Sequence, residues 1–402
     1  MNNNKIIGAV DIGTSKVVAL VGEVIGDRSL NIIGFGQSTA QGVRKGEIVD
    51  FRATSSSTHA AINAAERNAG ATVEAVYLSQ SGFHLEGFFN KGSVPVSASD
   101  NTVSAADKRH AVESARRKEL PPGRLYIHHI QNGFFLDGRP VDDPEKMQGE
   151  DLEVAYWHVH GREKNVSDHI HVINAFGLKV EDMIISSIAS GSMVASEPDK
   201  ENSGLVIDIG RGTSDYVLYR DGRILRTGVL CVGGDHLTND LALGLRVGEN
   251  HAEKLKLEFG RATINPDDKG DHVWLFGDLT IGDRSIPKLA IYKILQARME
   301  EIFTIIKKDL TPVLSPGNIS AGVILTGGVS RLPKIVDVAA SVFGVDARVG
   351  ENPAWVREDL REPEYSTVLG LLYYGLTAQQ TDESVRANGG IIRKMAKIFN
   401  IG

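Results

Sequence analysis

Cysteine is nearly missing from this chain of 402 residues: Cys231 stands alone, which excludes an intramolecular disulfide and suits a reducing compartment. It is expected to be a buried structural thiol rather than a nucleophile. No run of eighteen apolar residues occurs, so the sequence encodes no helical membrane span. The first residues, Met1 to Lys5, lead directly into an apolar strand rather than a signal sequence. A soluble cytoplasmic body is the expectation. A strong basic excess is also missing: the net charge is −7, so there is no domain-wide field to attract nucleic acid, and no nucleic-acid partner is expected. What is present is 42% hydrophobic residues, enough to fill more than one core in a chain of this length.

Against that background three glycine-rich turns stand out. Val10-Asp11-Ile12-Gly13-Thr14-Ser15-Lys16 lies near the start, Ile207-Asp208-Ile209-Gly210-Arg211-Gly212-Thr213-Ser214-Asp215 at mid-chain, and Leu325-Thr326-Gly327-Gly328-Val329-Ser330-Arg331 later. In the first two, an apolar strand runs into an acid and then a Gly-Thr-Ser turn, so backbone N–H and hydroxyl groups gather where glycine permits close approach to phosphate oxygens. A carboxylate repels phosphate, so the useful role of Asp11 and Asp208 is to hold the water shell of Mg2+. Either turn alone reads as an ordinary strand end. Their recurrence, roughly two hundred residues apart in the same strand and hairpin context, points to a duplicated unit around one nucleotide cleft.

The rest of the chain fits two halves. Strands at about 6–12, 17–24 and 30–36, a helix at 53–69 and a strand at 73–80 form a sheet with a covering helix. From 84 to 165 the texture changes to polar turns, a basic helix at 105–119 and strands at 124–136 and 151–163, which reads as an inserted small domain. Elements at 166–202 return to the first half. The second half repeats the theme over 203–375, with a helix-rich excursion at about 246–315. Residues 376–390 are polar or small with no periodic apolar face, which reads as a flexible linker. Beyond it Ile391, Ile392, Met395, Ile398 and Phe399 fall at helical spacing beside Arg393, Lys394 and Lys397. A segment of that kind is too short to span a bilayer and suits its interface, with cations toward anionic lipid. A terminal helix docked on the protein's own core is the alternative.

The ordered set of motifs resembles the actin and DnaK-type chaperone superfamily, and within it the FtsA family of bacterial cell-division proteins. The stretch Gly233-Gly234-Asp235-His236-Leu237-Thr238-Asn239-Asp240 with Ala252-Glu253-Lys254-Leu255-Lys256 is similar to that family's connecting and ribose-binding region. So are Ala297–Ile302 and Pro363–Leu371 to their counterparts. The insertion at 84–165 sits where that family carries its subdomain 1C in place of the actin subdomain 1B. The fold implied is α/β, with two actin-like (ribonuclease H-like) domains around a nucleotide cleft.

The resemblance assigns Gly13, Thr14, Ser15 and Lys16 to the first phosphate loop and Gly210, Gly212, Thr213 and Ser214 to the second. Gly233, Gly234, Glu253 and Lys256 fall on the ribose side; Glu253 and Lys256, three apart on a helix, share a face. Gly327 and Gly328 would approach adenosine, and Arg331 would lay its guanidinium on adenine. Two departures bear on catalysis. Arg211 stands where the superfamily usually has glycine, and either adds phosphate charge or demands a different turn. Ser186-Ser187 replaces a Glu-Pro pair whose acid would orient water, so ATP binding is expected with slow or absent hydrolysis.

The implied function is an actin-like protein that binds ATP and Mg2+ and polymerises on the cytoplasmic side of the membrane at the division site. It would tether the C-terminal peptide of FtsZ and recruit later divisome proteins. Arg298, read as an exposed cation in the excursion, would receive that acidic peptide. A PilM-like pilus-assembly scaffold and a soluble chaperone- or sugar-kinase-like ATPase are the alternatives. The histidines His128-His129, His158 and His160, and His169 and His171 are expected to be packed or solvated rather than metal ligands.

Overall fold

The computed structural model describes residues 5–25, 29–275, 283–314 and 319–388; over 379–388 only the helical path is described. The chain opens with a meander, β1 (Ile6–Ile12), β2 (Lys16–Ile25) and β3 (Ser29–Thr39), whose Val, Ile, Ala and Leu run nearly unbroken through β1 and β2 because both faces are covered. A small hairpin follows, β4 (Val43–Arg44) with β5 (Glu47–Ile48). Helix α1 (Phe51–Ala69) starts at Asp50, whose carboxylate accepts the Ala53 N–H, and stops at Gly70 in the left-handed region. It crosses over to β6 (Ala75–Gln80), which lies parallel to β1.

The insertion departs here. Strand β7 (Glu86–Pro95), helix α2 (Ala105–Arg116), and strands β8 (Arg124–Leu136), β9 (Arg139–Val141) and β10 (Asp151–Arg162) build a separate four-stranded sheet in the order β7-β10-β8-β9. One face packs under α2 around Val103, Ala111, Val112, Phe134, Leu152, Val154 and Tyr156. Helix α3 (Glu163–Asn174) and strand β11 (Lys179–Ile185), parallel to β6, complete the first-half sheet, and α4 (Ser186–Val194) and α5 (Glu197–Glu201) follow.

The second half repeats the plan. Strands β12 (Leu205–Ile209), β13 (Ser214–Arg220) and β14 (Arg223–Leu230) form the meander, with Asp221 and Gly222 both at positive φ in the tight turn expected of that Asp-Gly pair. Helix α6 (Gly234–Leu245) leads into the excursion, which holds α7 (Glu249–Phe259), a hairpin of β15 (His272–Leu275) and β16 (Arg284–Pro287), and the long α8 (Lys288–Leu310). Strand β17 (Val323–Thr326) then pairs parallel to β12, and after α9 (Ile335–Phe343) strand β18 (Ala347–Val349) pairs parallel to β17. The two sheet orders, β11-β6-β1-β2-β3 and β14-β13-β12-β17-β18, describe one topology twice. Helices α4 and α10 (Ser366–Asn388) lie between the sheets: Ile188, Leu369, Leu371 and Leu372 share a core with Ile7 and Leu20 of the first half and Val206 and Val217 of the second.

One expectation is corrected. Residues 376–388, read as linker, continue α10 as helix. Leu376 and Ala378 are buried and anchor the last core-facing turn. Beyond them Ala, Gln, Glu and Arg propagate a helix already nucleated, with no glycine or proline before Gly389. The expected membrane segment, Ile391 to Phe399, lies outside the described residues. No helix among the described residues is long and apolar enough to cross a membrane.

The histidines of the insertion are drawn into internal bonds. The ring nitrogens of His129 and His158 meet at 2.7 Å, and His158 Nε2 reaches the Ala115 carbonyl at 3.1 Å. His128 Nε2 accepts the Ile185 N–H, and Arg124 donates to His160. Burial lowers the pKa of His128, His129 and His158 to about 4, so they pack as neutral rings. Cys231 is half-buried, and burial pushes its thiol up to about 11, far from a nucleophile's range.

Candidate functional site

The two phosphate loops are the same turn made twice. Gly13 N–H donates to the Lys16 carbonyl at 3.0 Å between β1 and β2, and Gly210 N–H donates to the Thr213 carbonyl at 2.9 Å between β12 and β13. Strand pairing puts each loop at the end of its meander, where the backbone N–H groups leave the ladder. The loops also touch. A Cβ at Gly212 would stand 2.5 Å from Thr14 Oγ1 and 3.0 Å from Lys45 Cα, so only glycine lets them meet. Thr14 Oγ1 in turn accepts the Gly46 N–H from the β4–β5 turn.

Between the halves lies a cavity of about 850 Å3. Of the residues assigned to nucleotide from the sequence, all but Ser214 and Gly233 line it. Ser214 points inward and donates to the Val232 carbonyl. Gly233 holds α6 against the second loop, where a Cβ would lie 2.5 Å from the Gly210 carbonyl oxygen. The adjacent Gly234, at the start of α6, does line the cavity. Gly327 has φ of +80°, and its Cα faces Asp208; an added Cβ would come within 2.3 Å of that carboxylate.

Three carboxylates sit at the floor. Asp11 accepts from Ser79 Oγ at 2.6 Å and Asp208 from Thr367 Oγ1 at 2.8 Å, while Asp215 accepts from Ser81. Asp208 and Asp215 are cross-strand partners of the β12–β13 hairpin. Burial raises Asp11, raises Asp208 to about 6, and together with the charge of Asp208 raises Asp215 to about 7. A set of close acids held this high is a donor set that a hydrated divalent cation relieves. Among the described residues no group of three His, Cys, Asp or Glu is spaced to ligate a metal directly.

The cations lie around the rim. Lys256 Nζ reaches Glu253 Oε2, Thr238 Oγ1 and the Gly234 carbonyl at 2.7, 2.7 and 3.1 Å, so α7 presents a lysine and carboxylate pair to the cavity as one unit. Arg331 and Lys16 approach from opposite halves and both meet Glu364. Arg211 keeps the standard turn, since Gly210 and Thr213 still bond, and its side chain turns away to Asp235 with Nε to Oδ1 of 2.5 Å. Its charge is committed to the start of α6. Ser186 lines the cavity at the head of α4, where an acid is missing, and donates weakly to the Gln80 carbonyl at 3.4 Å.

Arg298 requires a correction. It is not a free exposed cation: its guanidinium bonds Asp240 of α6 at 2.6 and 3.1 Å and also pairs with Glu301. Its position on α8 puts it one turn from Glu301 and against α6, where sequence alone gave no view of the partner helix.

The sequence reading missed Ser79, Ser81, Asp215, Glu364 and Thr367. Asp215 carries a signal, being the acid that the hairpin places directly opposite Asp208. Ser79 lies at the end of β6 and Ser81 just beyond it; that strand is parallel to β1, so its end had to reach Asp11. Glu364 and Thr367 lie in the Pro363–Leu371 stretch that carries the family resemblance, but they arrive from far along the chain and nothing local assigns them to the cleft.

A duplicated α/β fold, with paired phosphate turns and acids closing on one cleft, defines a protein of the actin-like class. Residues 205–370 match the family described as Cell division protein FtsA, and residues 82–160 match the SHS2 domain inserted in FtsA. The FtsA of Pseudomonas aeruginosa is 32% identical over 97% of this chain and 94% of its own length, and that of Bacillus subtilis is 30% identical over 93% and 84%. The chain belongs to the FtsA family of cell-division proteins. Two solved structures share the fold. A PilM-PilN type IV pilus biogenesis complex aligns with a TM-score of 0.63 at 17% identity, over 92% of this chain and 98% of that one. MreB5 of Spiroplasma citri, bound to ADP, aligns with 0.56 at 14% identity, over 94% and 98%.

Proposed function

We propose that this cell-division protein binds ATP with Mg2+ in the cleft and uses it to clamp its two halves. The observation that carries the reading is the convergence of both phosphate turns, the third glycine turn and three acids on one cavity. Asp11 and Asp208 would hold the hydrated Mg2+, the Gly13 and Gly210 loops the phosphates, Glu253 and Lys256 the ribose, and Arg331 the base. The metal would neutralise phosphate charge; the chain itself supplies the turns, the acids and the enclosure. No acid stands at Ser186 and Ser187 to orient water, so nucleotide acts chiefly as a structural ligand with slow turnover.

In this reading the clamped form self-associates, the segment 391–402 lies in the anionic surface of the cytoplasmic membrane, and the second-half excursion receives the acidic C-terminal peptide of FtsZ. Later divisome proteins then assemble at the site. Family membership and the single-sided charge of the tail support it. A flotation assay with anionic vesicles, Mg-ATP and the fluorescent FtsZ peptide tests it: peptide should float only with full-length protein. Peptide left at the bottom in the presence of floating protein would remove the tether. Binding of Mg-ATP without flotation would favour a soluble ATPase of the same fold.

A further inference from the structure

Glu364 is a carboxylate that meets both halves of the cleft at once. It belongs to a 3-10 turn, Pro363–Tyr365, immediately before α10. Oε1 accepts from Lys16 Nζ at 2.7 Å, and Oε2 lies 3.3 Å from an Arg331 guanidinium nitrogen. The lysine is further fixed above the Tyr365 ring at 4.1 Å from its centre, and the Tyr365 hydroxyl donates to Gln37 at 3.1 Å. Lys16 and Glu364 are both mostly buried and line the cleft. The turn is also tied to the rest of the site: the Pro363 carbonyl accepts from Gly327 N–H and Thr326 Oγ1, and Thr367 donates to Asp208.

Lys16 is the cation that ends the first phosphate loop. A triphosphate seated on that loop brings its negative charge to the ammonium that Glu364 already holds. Two anions compete for one point charge, and each weakens the other's bond. Arg331 also pairs with Glu362, 3.6 Å away, so it keeps a carboxylate partner without Glu364, whereas the ion pair of Lys16 is with Glu364.

Resting on the nucleotide reading above, we propose that Glu364 is a built-in competitor for the phosphate-loop lysine that holds down affinity for nucleoside triphosphate. Seating the phosphates takes Lys16 away from the Glu364 carboxylate. The effect belongs to charge at Lys16, so it weakens ligands in proportion to their phosphates and leaves a bare nucleoside untouched.

Calorimetric titration of the full chain with Mg-ATP and with adenosine tests this. Glu364→Gln should tighten Mg-ATP by about fivefold, the scale of one part-exposed ion pair, and leave adenosine unchanged. Glu364→Asp, too short to reach Lys16, should act the same way if the glutamine variant folds poorly. In a Lys16→Met background, Glu364→Gln should make no difference. A gain that persists there would assign the effect to Arg331 or to direct repulsion of phosphate and overturn competition for the lysine. Wild type that binds Mg-ATP while both Glu364 variants bind it equally or more weakly overturns this inference alone. Wild type that binds no Mg-ATP overturns the cleft reading and this inference with it.

Discussion

Ser81 Oγ meets both carboxylate oxygens of Asp215, at 2.7 and 2.9 Å, and so ties the end of the first half's β6 to the second half's phosphate hairpin. The bond crosses the cleft floor, where Ser81 also lies 3.3 Å from Thr213 Oγ1. Any opening of the halves has to break it.

That geometry sets a pH dependence. In the fold Asp208 and Asp215 titrate at about 6 and about 7, above their ordinary 3.8, so the folded protein keeps protons that the unfolded chain has released. Their contribution is complete below pH ~4 and lost as the pH rises through the folded values. Without ligand the melting temperature should therefore fall between pH 5 and pH 8 on the order of a few degrees. Asp215→Asn keeps an acceptor for Ser81 and removes the charge, so it should flatten that slope and be more stable than wild type at pH 8. If this variant instead melts below wild type at pH 8, the acid is favourably ionised in the fold.

Gly327 carries the third turn at φ of +80°, hard against Asp208 and the Ile209 carbonyl. Gly327→Ala should cost about 1–3 kcal/mol of stability and weaken nucleotide binding together, because the same displacement disturbs Asp208. Urea unfolding with and without Mg-ATP checks both; a stable variant with unchanged affinity would show the turn to be tolerant.

Much of this architecture is legible in the sequence. The apolar strands ending in Asp-x-Gly mark both meanders, since a both-face-buried strand and a glycine turn are local signals. The insertion is marked by its change of texture. What is not legible depends on partners remote in sequence. Asp240 cancels Arg298 across two helices, and Glu364 reaches Lys16 from the other end of the chain. The helical state of 376–388 follows from the buried start of α10 at Ser366 rather than from its own weakly patterned residues.

For Arg298 the ion pair reshapes the expectation about a peptide partner. Asp240→Asn leaves the guanidinium fork less engaged and should strengthen binding of an acidic peptide. Arg298→Ala should abolish that binding and also cost about 1 kcal/mol through the lost link between α6 and α8. Fluorescence anisotropy with the FtsZ peptide separates the two: weaker binding by Asp240→Asn would place the peptide elsewhere.

In the proposed reading, deleting 391–402 should leave melting and nucleotide binding unchanged and should release the protein from anionic vesicles. Ile398→Glu should act like the deletion, while Lys397→Ala should weaken binding by about 1 kcal/mol. Cosedimentation across a salt series reads all three. Equal pelleting of full-length and shortened protein would rule out the anchor.

The nucleotide clamp itself is tested most directly by the melting temperature of wild type and Asp208→Ala with and without Mg-ATP. At ligand a hundredfold above the dissociation constant, wild type should gain about 2.7 kcal/mol of stability, and Asp208→Ala should gain almost none while still folding. No shift in wild type, or an equal shift in both proteins, would contradict the account.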